Sequence, residues 1–229
     1  MNRLRKLRPL FWTAGLVFAL LIGSAAPGAS AKSIQHMPAG SPSGGQLIPA
    51  DEAPKGYSLT QAAAATAYFN TGPRTPDTLP EDFPFQILYF NEDFTFTVKT
   101  GTMLYVPVIT SDNRDSGAWP FPDVSDPAAV SAYYYDPGQL GAEYIRIIVD
   151  GKVRELGPEY AAGAVMLQPR PDDGIYDYTV VAGYLTPLNK GTHTVRIAAR
   201  FTGAFIALYP EFFPGGVYEF DYPYTVIVK

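Results

Sequence analysis

The alternation of apolar and polar positions is clearest at the C-terminal end of the chain. His193, Val195, Ile197, Ala199 and Phe201 fall on one side of a run in which Thr194, Arg196, Ala198 and Arg200 fall on the other. That period of two is the pattern of a half-buried β-strand, with the two arginines toward water. Tyr218, Phe220, Tyr222, Tyr224, Val226 and Val228 then share a side opposed by Glu219, Asp221 and Thr225. A strand with so wide an aromatic and aliphatic side needs a cover, and a second sheet is the expected one.

The same reading applies upstream. FQILYF (residues 85–90) opens the sheet region, and Phe94, Phe96 and Val98 alternate with Thr95, Thr97 and Lys99 before a break at Gly101. Leu104, Val106 and Val108 follow, opposed by Met103, Tyr105 and Pro107. Pro107 has no N–H to give a ladder, so that strand is expected to lie at an edge or to bend there. Residues 144–149 run through Asp150-Gly151 into 152–156, and Asp-Gly favours the type I′ hairpin turn. Tyr176, Tyr178 and Val180 alternate before Gly183, whereas residues 160–167 carry no decisive pattern. The count is roughly seven to nine strands at the spacing of a sandwich.

Helical signals are few. Ser58 precedes the alanine-rich run of residues 62–69, which ends at Asn70-Thr71-Gly72-Pro73, as a capped short helix does. Residues 75–84 hold three prolines and are expected to be an extended connection. A long insert over 111–139 separates two strands, with Asp126 and Pro127 marking the cap and first turn of a small helix. The fold class expected is mainly β, an antiparallel β-sandwich or jelly roll with one or two short helices. Residues 57–229 form its single domain, and no βαβ alternation supports a parallel sheet with a nucleotide crevice.

Two stretches carry a resemblance. FTVKTGTMLYVPVITSD (residues 96–112) and GYLTPLNKGTHTVRIAARF (residues 183–201) resemble secreted bacterial β-sandwich proteins of uncharacterised function. The likeness covers about residues 83–229 and leaves the insert between Asp112 and Gln139 unmatched. It implies a fold and carries over no catalytic residue.

The N-terminal pattern adds a compartment. Arg3, Arg5, Lys6 and Arg8 precede an apolar run from Leu10 to Gly23 and then Ala29-Ser30-Ala31. This is the grammar of a signal peptide over residues 1–31 cleaved after Ala31. The apolar run, about 14 residues, is short of the roughly 20 that span a bilayer, so no transmembrane segment is expected in the cleaved product. The product is expected to be secreted or periplasmic. Residues 32–56 are rich in Gly, Pro and Ser and are expected to be a flexible leader.

Cleavage removes four of 17 basic residues and none of 22 acidic ones, leaving 13 against 22 and a net charge of −9. Nucleic acid is therefore an unsuited partner. The chain has no Cys, so disulfides, thiol chemistry and a lipid anchor on an N-terminal Cys are excluded.

Candidate chemistry is sparse. His193 lies at the mouth of a strand with no evident nucleophile, and a structural role bonded to turn backbone is expected. Asp112 and Asp115, around Arg114, are weak calcium candidates without the spacing of an EF-hand loop. No metal or other cofactor is expected. Glu143, Glu155, Glu159, Glu211 and Glu219 leave a glycosidase-like hydrolase near the 111–139 insert open as an alternative, because separation in space decides such chemistry. The insert's aromatic residues, Trp119 and the run Tyr133, Tyr134 and Tyr135, suit sugar stacking or a protein anchor. Plain packing of that run is the competing reading. The expectation is an exported, non-catalytic binding or cell-envelope-associated module with a glycan or an envelope protein as partner.

Overall fold

The computed structural model describes residues 44–72, 74–114, 120–167 and 174–229. The expected signal peptide, its cleavage site and the first part of the leader lie outside the described residues. Among those residues the fold is mainly β, with nine strands in two sheets and three short α-helices.

The first sheet has the order β1-β3-β7-β6, built from β1 (Gln86–Ile87), β3 (Leu104–Asp112), β7 (Asp177–Leu185) and β6 (Ala161–Val165). The second has the order β2-β9-β8-β4-β5, built from β2 (Thr95–Val98), β9 (Tyr218–Val228), β8 (Gly191–Phe201), β4 (Ala142–Val149) and β5 (Lys152–Glu155). The sheets are mixed, not purely antiparallel as expected. β1 runs parallel to β3, and β2 runs parallel to β9. A parallel pair needs a crossover, and here β2 supplies it: the chain leaves β1, joins the edge of the other sheet, and returns as β3.

The C-terminal strands behave as their pattern predicts. β8 and β9 pair antiparallel without a bulge from Gly191↔Val228 to Phe201↔Tyr218. Phe220, Tyr224, Val226 and Val228 are buried, as are Val195, Ile197, Ala199 and Phe201 across the ladder. Tyr222 is half-buried against Phe90 and Phe220.

β7 is buried along almost its whole length because both of its faces are covered. On one side stands α1 (Leu59–Thr71), bound through Asn70 to Tyr178 and through the Ser58 carbonyl to Tyr184. On the other, a Cβ at Gly183 would meet Ile147 of β4 and Leu156. Ser58 caps α1 with a reciprocal box, its hydroxyl accepting from Gln61 N–H at 3.2 Å and the Gln61 side chain accepting from Ser58 N–H at 2.8 Å. Ala62, Ala63 and Ala67 are fully buried, and their small side chains let the helix axis lie close to the sheet.

Pro107 lies just past the end of β1, whose pairing stops at Tyr105, and β3 bulges between Pro107 and Ile109. The bend expected at that proline is found, whereas β3 itself lies between β1 and β7 and is open on one side only past Tyr105, where no ladder needs the missing N–H. Residues 161–165, which carried no decisive pattern, form the edge strand β6. Their three small alanines and a glycine give too little periodicity to read.

Residues 44–56, expected as part of a flexible leader, are tied to the sandwich. Ile48 N–H donates to Tyr184 O at 2.9 Å, Thr186 N–H donates to Gln46 O at 2.9 Å, and Ile48 is buried. Burial of the apolar pair Leu47-Ile48 offsets the ordering entropy that the surrounding Gly and Pro suggested the chain would keep.

α2 (Pro127–Tyr135) begins as predicted, with the Asp126 carboxylate accepting from Ala128 N–H and Pro127 in the first turn. It packs against β6 at Gly163, where a Cβ would stand 2.7 Å from both the Val124 carbonyl oxygen and Val130 Cγ2. Gly163→Ala is therefore expected to destabilise the fold by about 1–3 kcal/mol through overpacking against backbone. Urea denaturation checks this, and an unchanged midpoint would show that α2 shifts freely.

Candidate functional site

The aromatic run expected as a recognition surface faces the protein. Successive residues on a helix point about 100° apart, and all three tyrosines find partners. Tyr133 and Tyr134 are buried. The Tyr134 hydroxyl bonds Thr179 Oγ1 at 2.8 Å, and that of Tyr133 bonds Ser111 Oγ at 3.1 Å. Tyr135 donates to the Leu156 carbonyl at 2.7 Å. Burial pushes the Tyr134 phenol well above its ordinary pKa. The run thus fixes the insert to the sandwich and offers no open ring face. Trp119, the other half of that expectation, lies outside the described residues.

Asp112 is engaged too. Arg114 holds its carboxylate with both Nε, at 3.0 Å, and Nη2, at 2.7 Å. That bidentate pair occupies the oxygens a calcium ion would need, as the cation inside the loop implies. Asp115 lies outside the described residues. Among the described residues no cluster of three or more His, Asp or Glu side chains has a metal-binding arrangement.

Of the five glutamates of the hydrolase alternative, Glu143, Glu155 and Glu219 lie on the outer face of the second sheet, whereas Glu159 sits in the turn Pro158–Tyr160 and Glu211 in the loop before β9. Arg200 bridges Glu143 and Glu219 at 2.7 Å each. Tyr144 donates to Glu219 at 2.5 Å, and the Arg146 guanidinium lies 3.7 Å from the Tyr144 ring centre while pairing with Glu155. Arg196 pairs with Asp221 on the neighbouring strand. The Tyr144 hydrogen bond, then Arg200, hold the Glu219 carboxyl below its ordinary pKa. A general acid needs the opposite shift.

His193 joins two loops. Asp150, in the left-handed region at φ 49°, leads the expected Asp-Gly turn, with Gly151 at φ 81°. One carboxylate oxygen accepts from Thr194 N–H at 3.0 Å and the other lies 2.7 Å from His193 Nδ1. His193 Nε2 lies 2.9 Å from the Asn189 carbonyl oxygen. Two acceptors facing two ring nitrogens suit the doubly protonated ring. Partial burial acts to lower the His193 pKa, but the Asp150 and Asn189 bonds outweigh it and raise the pKa.

A concave site lies elsewhere, and sequence reasoning did not nominate it. A cavity of about 60 Å³ opens where the end of α1, the crossing segment after β1 and the free edge of β3 meet. Asn70, Arg74, Leu88, Tyr89, Phe90, Pro107, Val108, Thr110 and Tyr224 line it. Arg74 stands in the left-handed region at φ 56° just past the helix, which turns its side chain over the Phe90 ring at 5.5 Å. Asn70 is held by its amide nitrogen, which donates to Thr66 Oγ1 at 3.1 Å and Tyr178 OH at 2.8 Å. Burial raises the pKa of Tyr224, and the charge on Arg74 counteracts part of that rise. The one sequence sign of this site was a lone arginine in a proline-rich connection near an aromatic cluster.

No protein-family model matches the chain, and no curated protein matches it. Among solved structures it is similar to the solution structure of Amebosin at 12% identity, covering 64% of this chain and 99% of that one, with a TM-score of 0.26. A likeness that weak carries no argument about fold or function.

Tyr134→Phe is expected to cost about 1–3 kcal/mol in urea denaturation, because it leaves the buried Thr179 hydroxyl without its partner. His193 supplies a pH dependence of known sign. A raised folded-state pKa means its contribution is complete below the unfolded value, about 6.5, and is lost as pH rises through the folded value. The urea midpoint is expected to fall between about pH 6 and about pH 8, and His193→Gln to flatten that fall. An equal fall in the variant would assign the effect to other groups.

Proposed function

We propose that the protein is an exported, non-catalytic binding module whose recognition site is the notch around Arg74. One observation carries this reading: the concave site presents a cation and aromatic rings, whereas Glu143, Glu155 and Glu219 are ion-paired on an open face. A retaining or inverting glycosidase needs two carboxylates flanking a cleft, one of them protonated. Here the Tyr144 hydrogen bond and Arg200 favour the ionised form of Glu219, the opposite of what a general acid needs.

Export is supported by the charged start, apolar run and Ala-x-Ala site of residues 1–31. Among the described residues no helix is long and apolar enough to cross a membrane. The resemblance of residues 96–112 and 183–201 to secreted β-sandwich proteins agrees with the same compartment. A glycan or an envelope protein remains the expected class of partner.

Expression of the full chain in a bacterial host is expected to give a periplasmic or secreted product beginning at Lys32 by N-terminal sequencing. A product that keeps Met1 in the cytoplasm would overturn the export reading. On glycan and peptide arrays the exported product is expected to bind without hydrolysing any polysaccharide. Hydrolysis that disappears in the Glu143→Gln, Glu219→Gln double variant would restore the enzyme reading.

A further inference from the structure

Acidic side chains outnumber basic ones in this chain, 22 to 17. Four of the six arginines among the described residues find anions. Arg114 pairs with Asp112, Arg146 with Glu155, Arg196 with Asp221, and Arg200 with Glu143 and Glu219. Arg154 lies against the Val153 carbonyl and the Gln46 side-chain oxygen. Arg74 has no anionic partner among the described residues, and its neighbours in the notch include no carboxylate.

Its placement is nevertheless specific. A non-glycine residue in the left-handed region carries a conformational cost of order 1 kcal/mol or more, tolerated where surrounding structure enforces it. Here that conformation delivers the guanidinium to a half-buried position on the Phe90 ring. A guanidinium drawn to a ring by its charge, with its centre 5.5 Å from the ring centre, spends no N–H hydrogen bond on that contact. Its N–H groups match the two oxygens of a carboxylate.

We propose that the notch is a receptor for a carboxylate carried on an apolar or aromatic shank, with Arg74 as the bidentate partner. This rests on the binding-module reading above and names its ligand class. The cavity volume, about 60 Å³, admits a carboxylate and its first carbons. The rest of the ligand lies along the mouth, where the half-exposed Tyr89 and Phe90 give ring contact and Pro107 gives apolar contact. A sugar acid fits less well, because its hydroxyls would lose water against those walls without gaining partners.

The test titrates the full-chain exported product with phenylacetate and with hexanoate, followed by NMR shifts of the Arg74 Nε–H and of the Phe90 and Tyr224 rings. Phenylacetamide and glucuronate are the controls. Both apolar carboxylates are expected to bind in the millimolar range or tighter; phenylacetamide is expected at least roughly tenfold more weakly, the loss of one charge-assisted bidentate contact, and glucuronate at least roughly tenfold more weakly because its hydroxyls lose water against apolar walls. Arg74→Ala is expected to weaken phenylacetate by roughly tenfold or more, and Arg74→Lys, which keeps the charge and loses the fork, by less. Circular dichroism confirms that each variant is folded, and the Lys variant gives the answer should the Ala variant unfold. Equal binding of phenylacetate and phenylacetamide, unchanged affinity in both Arg74 variants, or no shift at Arg74 with any carboxylate would overturn the proposal. Glucuronate binding as tightly as phenylacetate would overturn the apolar shank. An array ligand whose binding ignores Arg74 overturns this inference and the notch as recognition site, leaving only the exported binding module, whereas arrays without any signal remove the binding module itself.

Discussion

The ladder between β8 and β9 is the constraint on which the rest of the molecule depends. Its eleven paired positions present one continuous inward row, from Val195 and Ile197 through Phe220, Tyr224 and Val226, that water would otherwise meet. Burying side chains of that size contributes about 1.5–3 kcal/mol each, and in a chain without cysteine this burial is the main stabilising term. Covering the row requires a second layer of similar length, which is why β3 and β7 lie opposite. β2 and β1 then close one side, each borrowing an edge from a different sheet, and the crossing chain between them brings Tyr89 and Phe90 to the seam.

The second layer needs a cover of its own. β7 is apolar on both faces, and α1 meets its outer face with alanines, so helix and sheet approach closely. The polar groups enclosed by that approach are paired in a chain from Ala62 O through Thr66 and Asn70 to Tyr178. Pairing of this kind removes the cost of burying them and fixes the helix along its axis. The end of α1 is thereby located, and with it Arg74.

Charge is divided between two surfaces. On the outer face of the second sheet, opposite charges neutralise one another across neighbouring strands, an arrangement that keeps a broad polar surface wet and inert. At the seam a cation is left over, in a net-acidic protein, beside aromatic rings. The contrast between a self-satisfied face and an unsatisfied notch is what separates the binding reading from the hydrolytic one.

Much of this was legible in order along the chain. Strand parity in β2, β8 and β9, the Asp150-Gly151 turn, the caps of α1 and α2 and the break at Pro107 are local rules, decided by a residue and its near neighbours. The structural role of His193 was legible too, from its place at a turn. Three things were not. The parallel edge pairs join segments distant in sequence, the inward turn of Tyr133, Tyr134 and Tyr135 depends on what α2 lies against, and Arg74 owes its position to a left-handed residue and a crossing loop. The sequence by itself determined which residues alternate, where the chain turns and which side of each ribbon must be dry, because those follow from backbone period and solvation. Only the tertiary structure decided which anions Arg146, Arg196 and Arg200 meet and that Arg74 meets none among the described residues, because such pairing depends on distances between strands that no single stretch of chain contains.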